Sequence, residues 1–147
     1  MTNGSRPLRE FELALKAAAD PTRTRVLKLL EAGELCVCQV QAVLGLAVST
    51  VSKHLSILKA AGLVEDRRAG KWIAYRLTRA DESAYVKPVL AMLRGAIERD
   101  PVFVADAERL RRVLEVPLGE LCAAPPPRSV LFPKPRRTRA PRRAGRL

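Results

Sequence analysis

The chain has 147 residues, with 27 lysines and arginines against 15 aspartates and glutamates, a formal charge of +12 and a pI ≈ 10.6. That length admits one domain with tails, and that charge points to a polyanionic partner, nucleic acid first and a membrane surface second. No apolar run approaches the roughly 18 residues of a membrane span, Met1 to Pro7 has no hydrophobic signal core, and three cysteines, two of them one residue apart, make no disulfide framework. The expectation is a cytoplasmic protein with reduced thiols and no membrane partner. The charge is uneven, however. Ala123 to Leu147 holds eight basic residues and no acidic one, which leaves the first 122 residues with 19 basic against 15 acidic, a mild excess.

Met1 to Pro7 reads as a short disordered lead. Leu8 to Asp20 suits a first helix, with Leu8, Phe11, Leu13, Leu15, Ala18 and Ala19 as its apolar positions. Asp20 is placed to cap a second helix that opens on Pro21 and runs to about Ala32, with Val26, Leu27, Leu29 and Leu30 buried and Gly33 as its stop. A third, short helix covers about Val37 to Leu44 and ends at Gly45. Val48 to Ala61 is the fourth. Its apolar stripe is Val48, Val51, Leu55, Leu58 and Ala61. Its other face carries Ser49, Thr50, Ser52, Lys53, His54 and Ser56, with no carboxylate. Short donors and acceptors with a cation, and nothing to repel phosphate, are what a helix in a DNA major groove needs.

Leu63 to Asp66 and Trp72 to Leu77 flank Arg67-Arg68-Ala69-Gly70-Lys71 and predict a β-hairpin whose tip carries Arg67, Arg68 and Lys71. A long helix comes next, from about Asp81 to Arg99, interrupted or kinked near Pro88, and a last one covers about Ala105 to Val116. Beyond Pro117 the chain turns Pro- and Arg-rich and is expected to be disordered from 123 to 147. The domain reading is therefore a lead (1–7), a winged-helix DNA-binding and dimerisation domain (8–100), a helical extension (101–122) and a basic tail (123–147). The fold class is mainly α with a β-hairpin wing (α+β), a dimeric winged helix-turn-helix. In such a fold the helix before the recognition helix braces it and the wing reaches toward backbone phosphates.

The stretch Thr50-Val51-Ser52-Lys53-His54-Leu55, with Leu58-Lys59-Ala60-Ala61-Gly62-Leu63-Val64, resembles the recognition-helix signature of the ArsR/SmtB family of metal-responsive repressors. The likeness runs from about Leu15 to Leu93. It takes in Ala19-Asp20-Pro21-Thr22-Arg23 and the wing-like Gly70-Lys71-Trp72-Ile73-Ala74-Tyr75-Arg76-Leu77. Glu34-Leu35-Cys36-Val37-Cys38 is similar to the arsenic-sensing motif of the arsenical-operon repressors. The resemblance implies a homodimer that sits on double-stranded operator DNA and leaves it when an inducer binds. It implies no enzyme and no catalytic cofactor, and no catalytic constellation is present in the sequence.

Cys36 and Cys38 are the candidate ligands. Residues two apart on a helix point about 200° from each other, so the pair can clasp one ion only if one of them lies outside helical geometry. Helix N-terminal amides favour thiolate, and thiolates select soft ions: As(III) or Sb(III), with Cu(I), Zn and Cd as rivals. The arsenic-sensing pattern adds a third cysteine where this chain has Gln41, which leaves Cys122 as the candidate third ligand, from the same subunit or its partner. Without it, monosubstituted organoarsenicals, which need two thiolates, are the better ligands. Control by thiol oxidation, or by another soft metal, is the alternative. His54 is the single histidine and lies in the recognition helix, and no cysteine precedes Cys36, so the family's other ion sites have no residues here.

Overall fold

A computed structural model describes residues 6–124 and Phe132. The elements in chain order are α1 (Arg6–Ala18), α2 (Pro21–Leu30), β1 (Leu35–Cys36), α3 (Val37–Leu44), α4 (Val48–Ala60), β2 (Val64–Ala69), β3 (Trp72–Leu77), α5 (Val86–Ala96), α6 (Pro101–Leu114) and α7 (Leu118–Ala123). The architecture is a winged helix-turn-helix: mostly helical, with α3 and α4 as the helix-turn-helix and the β2–β3 hairpin as the wing.

Local chemistry sets most of the boundaries. The Asp20 side chain accepts from the Arg23 backbone N–H and Pro21 opens α2, so the cap and the proline's fixed φ act together. Gly45 closes α3 with φ 68°, the left-handed conformation that costs glycine least. Apolar side chains from α2, α3, α4 and the start of β2 meet in one core, in which Val26, Leu27, Val40, Val43, Val51, Leu55, Leu58 and Leu63 are almost fully buried.

Several sequence expectations require correction. The wing strand β2 runs on through Arg67 and Arg68 to Ala69, paired residue by residue with β3 from Val64–Leu77 to Ala69–Trp72. The turn is then Gly70-Lys71 alone, and Arg67 and Arg68 lie along the strand rather than at a five-residue tip. Strand pairing extends as far as the turn chemistry allows, and only Gly70 has the positive φ. A third strand, too short to leave a sequence pattern, is formed by Leu35 and Cys36. They pair with Tyr75 and Ala74 on the outer side of β3, giving the sheet order β1-β3-β2. The helix expected over Asp81 to Arg99 is shorter, and Pro88 does not kink it. Pro88 is the third residue of α5, where its missing N–H has no intrahelical partner to lose. The last helix starts earlier than expected, because Asp100 caps it and Pro101 is its first residue. Val48, expected in the buried stripe, is 47% exposed at the first position of α4. Arg6 and Pro7 belong to α1 rather than to the lead. The expected disorder of 1–5 and of most of 125–147 falls outside the described residues.

The extension is packed into the same core. Leu110, Val113 and Leu121 are buried in it, and α6 and α7 both lie against α3. Asp106, 2% exposed, receives a two-pronged contact from Arg25 of α2 (2.6 and 2.8 Å) and a further bond from Arg109 (2.9 Å). A carboxylate so buried is tolerated because three guanidinium N–H groups satisfy it.

Candidate DNA interface and thiol site

The exposed side of α4 is the face picked out by the sequence. Ser49, Thr50, Lys53 and Ser56 are open to solvent and Ser52 is half-buried, while Val51, Leu55 and Leu58 turn inward. No side chain caps α4, so its first amides remain available to a phosphate oxygen. His54 is half-buried. Its Nδ1 lies 3.4 Å from Arg23 Nη1 and 4.0 Å from an Asp20 oxygen. Arg23 also donates to the Ala17 carbonyl at 2.6 Å. His54 therefore ties α4 to the α1–α2 corner, and only part of its ring is left to solvent.

On the wing, three cations in the sequence become two in the structure. Arg67 is forked onto Glu34, with Nη2 to Oε2 at 2.7 Å. The Glu34 carboxyl is held below its usual value, first by that hydrogen bond. Arg67 is thus neutralised beside β1. Arg68 and Lys71 remain exposed, and the Lys71 ammonium lies over the Trp72 ring at 4.8 Å.

The cysteines fall on two elements. Cys36 ends β1 and precedes α3 with extended backbone (φ −82°, ψ 159°), and its N–H donates to Gln39 Oε1 at 2.8 Å. Cys38 is in the first turn of α3. The geometric condition for convergence, one cysteine outside the helix, is met. Yet Cys36 is 7% exposed, and burial, followed by the Glu34 charge, pushes its thiol pKa up against the pull of Arg67. The expectation that helix amides would favour thiolate there is overturned by desolvation.

Cys38 is joined to Cys122 of the same chain as a disulfide, with Cα atoms 5.5 Å apart across 84 residues. The reading of three reduced, unpaired thiols is corrected here: an odd count leaves one cysteine over but does not keep the other two apart. The pairing is made by α7, an element the sequence did not reveal, which lays Cys122 against the first turn of α3. Cys36 remains free. Among the described residues no group of three His, Cys, Asp or Glu side chains is already gathered for an ion, and no single helix is long and apolar enough to cross a membrane.

The sequence profile of the bacterial regulatory protein arsR family matches residues 20–66, from the Asp20 cap to the start of the wing. The arsenic resistance transcriptional regulator ArsR1 of Pseudomonas putida KT2440 is 36% identical over 76% of this chain and 86% of its own length. The chain belongs to the arsR family. The arsenical resistance operon repressor of Escherichia coli K12 is 45% identical over 43% of this chain and 55% of its own. A Mycobacterium bovis protein whose solution structure is described as a homodimeric winged helix-turn-helix DNA-binding domain superposes with a TM-score of 0.55. It is 30% identical and covers 69% of this chain and 97% of its own. This ArsR-family chain is a DNA-binding transcriptional repressor and not an enzyme. The likeness to the family's profile ends at Asp66, before α6 and α7.

Proposed function

We propose that this ArsR-family repressor binds operator DNA as a homodimer and releases it when inorganic As(III) or Sb(III) is taken up by the thiols of Cys36, Cys38 and Cys122, or an organoarsenical by those of Cys36 and Cys38. The observation that carries the reading is the meeting of Cys38 and Cys122 at the first turn of α3, the helix that braces α4. Two thiols that can reach each other can also reach two sides of one soft ion. Cys36, one residue outside the helix, supplies a third by leaving its place between β1 and α3. The donor set is all thiol, which suits a trivalent arsenical.

The protein's part is mechanical. Turning Cys36 toward Cys38 breaks the Cys36 N–H bond to Gln39 and loosens the β1–β3 pairing at Cys36–Ala74. The start of α3 and the wing then lose their fixed relation, and the two recognition helices of the dimer lose their half-site spacing. A coupling of about 1–3 kcal/mol lowers operator affinity roughly 5–150-fold. Ser49, Thr50, Ser52, Lys53, His54 and Ser56 face the bases and nearby phosphates, with Arg68 and Lys71 on the backbone and Arg67 held in reserve by Glu34. The dimer is formed by α1 and α5, where Leu8, Phe11, Leu15 and Met92 are exposed and Phe11 packs edge-on against Tyr85 at 5.9 Å.

The Cys38–Cys122 bond itself supports a second reading. Oxidation of the two thiols by hydrogen peroxide, with two protons and two electrons passing to it to give two waters, clamps α7 to α3. The disulfide state then sets operator affinity.

Fluorescence anisotropy on DNA from the protein's own promoter region separates the two. Under reducing conditions arsenite, antimonite or phenylarsenite should release the wild type, while zinc and cadmium should not. Cys36→Ser should bind DNA normally, lose the arsenite response and keep any response to peroxide. Cys122→Ser should lose the peroxide response and keep release by phenylarsenite through Cys36 and Cys38. Failure of every trivalent arsenical to release the reduced wild type would sink the metalloid reading.

A further inference from the structure

The bond between Cys38 and Cys122 coexists with an intact helix-turn-helix. In this bonded state the Cys36 N–H donates to Gln39 at 2.8 Å, Cys36 pairs with Ala74, and α3 begins at Val37. At the other end of α3 the Phe132 ring lies against Gly45, where a Cβ would meet it at 2.8 Å. The helix that braces α4 is thus held at both ends, and Ser49, Thr50, Lys53 and Ser56 stand open to solvent. The three sulfurs are not equally sheltered. Cys38 and Cys122 are half-buried, whereas Cys36 is 7% exposed and free. A small oxidant therefore meets the pair before it meets Cys36.

Two chemistries compete for these two sulfurs. Hydrogen peroxide takes the first thiol to a sulfenic acid as its O–O bond breaks and one water leaves. The second thiol attacks that sulfur; the S–S bond forms, the S–O bond breaks and a second water leaves. A dithiol reverses the change, becoming a disulfide itself while both cysteines regain their protons. Uptake of arsenite or antimonite involves no change of oxidation state. Each new bond to sulfur forms as a thiol proton and a hydroxide of the ion leave together as water. With Cys38 and Cys122 bonded to each other, Cys36 alone can replace a hydroxide, and the gain from holding the ion at several points is lost. An organoarsenical loses Cys38 in the same way.

We propose that the Cys38–Cys122 bond is an interlock on the sensor: closed by hydrogen peroxide and opened by a dithiol, it keeps the chain in its operator-binding form and shuts out trivalent arsenic and antimony. The inference rests on the metalloid reading above and adds its regulation. It differs from control of operator affinity by oxidation, because the oxidised and reduced chains bind DNA alike and only the response to the inducer changes. The block is mechanical as well as chemical. The bond ties α7 to the first turn of α3, so the segment that moves when Cys36 turns toward Cys38 is the segment that is clamped.

The test uses the full chain without air, either reduced or treated with equimolar hydrogen peroxide and then catalase. Thiol counting should give three free thiols in the first form and one in the second. Both forms should bind a promoter duplex with the same affinity by fluorescence anisotropy. Arsenite and phenylarsenite should weaken binding by the reduced chain roughly fivefold or more and leave the oxidised chain on the DNA. After desalting, elemental mass spectrometry should find arsenic on the reduced chain alone. Dithiothreitol, removed before the metalloid is added, should restore uptake and release. Cys122→Ser cannot close the bond and should stay releasable by phenylarsenite after the same peroxide treatment. An oxidised chain that leaves the duplex without metalloid, or that retains arsenite, would overturn the interlock, as would loss of the phenylarsenite response in peroxide-treated Cys122→Ser. A reduced wild type that no trivalent arsenical releases would overturn the metalloid reading and the interlock with it, a result seen before any oxidation.

Discussion

At the scale of single residues, Glu34 has two effects in opposite directions. Its carboxylate ties down Arg67 and also pushes the Cys36 thiol up. The Glu34 pKa is lowered in the fold, so the contact is fully present above the ordinary glutamate range and is lost as pH falls through the folded value. At neutral pH Arg67 stays tied. Glu34→Gln should free that cation for a phosphate and steepen the salt slope of operator binding by about 1. It should also make Cys36 react faster with a thiol reagent at pH 7, since the thiolate fraction increases as its pKa falls. An unchanged slope would mean that Arg67 stays off the DNA whatever its partner. The residues that the sequence marked on α4 are on its solvent side, because a 3.6-residue period separates faces without help from the rest of the fold. His54 and Arg67 are the departures, and both are held by residues from other elements, Asp20 and Arg23 in one case and Glu34 in the other.

At the scale of elements, the extension is part of the core and not an appendage. Leu121 of α7 is 1% exposed. Leu121→Ala should cost about 3 kcal/mol in urea unfolding of the reduced protein, the usual range for a truncated core leucine. It should also separate Cys122 from Cys38 and so slow their oxidation. Asp106 joins α6 to α2 through Arg25. Asp106→Ala should lose about 2–3 kcal/mol, less than for a fully buried pair because Arg25 and Arg109 keep about a fifth of their side chains in water. A loss under 1 kcal/mol in both variants would show that α6 and α7 are dispensable to the fold.

At the scale of the whole molecule, the proposed dimer covers apolar side chains of α1 and α5 that this single chain leaves in water. Leu8 is 58% and Met92 66% exposed. Leu8→Lys with Met92→Lys should shift sedimentation from dimer to monomer at micromolar concentration. Operator affinity should then fall at least a hundredfold, since one half-site contact no longer helps the other. A double variant that remains dimeric would place the interface elsewhere.

The amino-acid sequence by itself determined the helix-turn-helix, the polar, solvent-facing side of α4, the existence of the wing and the place of the cysteine pair at the start of α3. These are local matters. Periodicity, capping by Asp20, and punctuation by Pro21 and Gly45 act over a few residues and are written next to the structures they cause. Only the tertiary structure decided the rest. The pairing of Cys36 with Ala74, the fork of Arg67 on Glu34, the bond of Cys38 to Cys122 and the seat of Phe132 on Gly45 each join residues 33 or more positions apart. Such contacts leave no period and no spacing behind, because their partners are chosen by which elements the shared apolar core brings side by side.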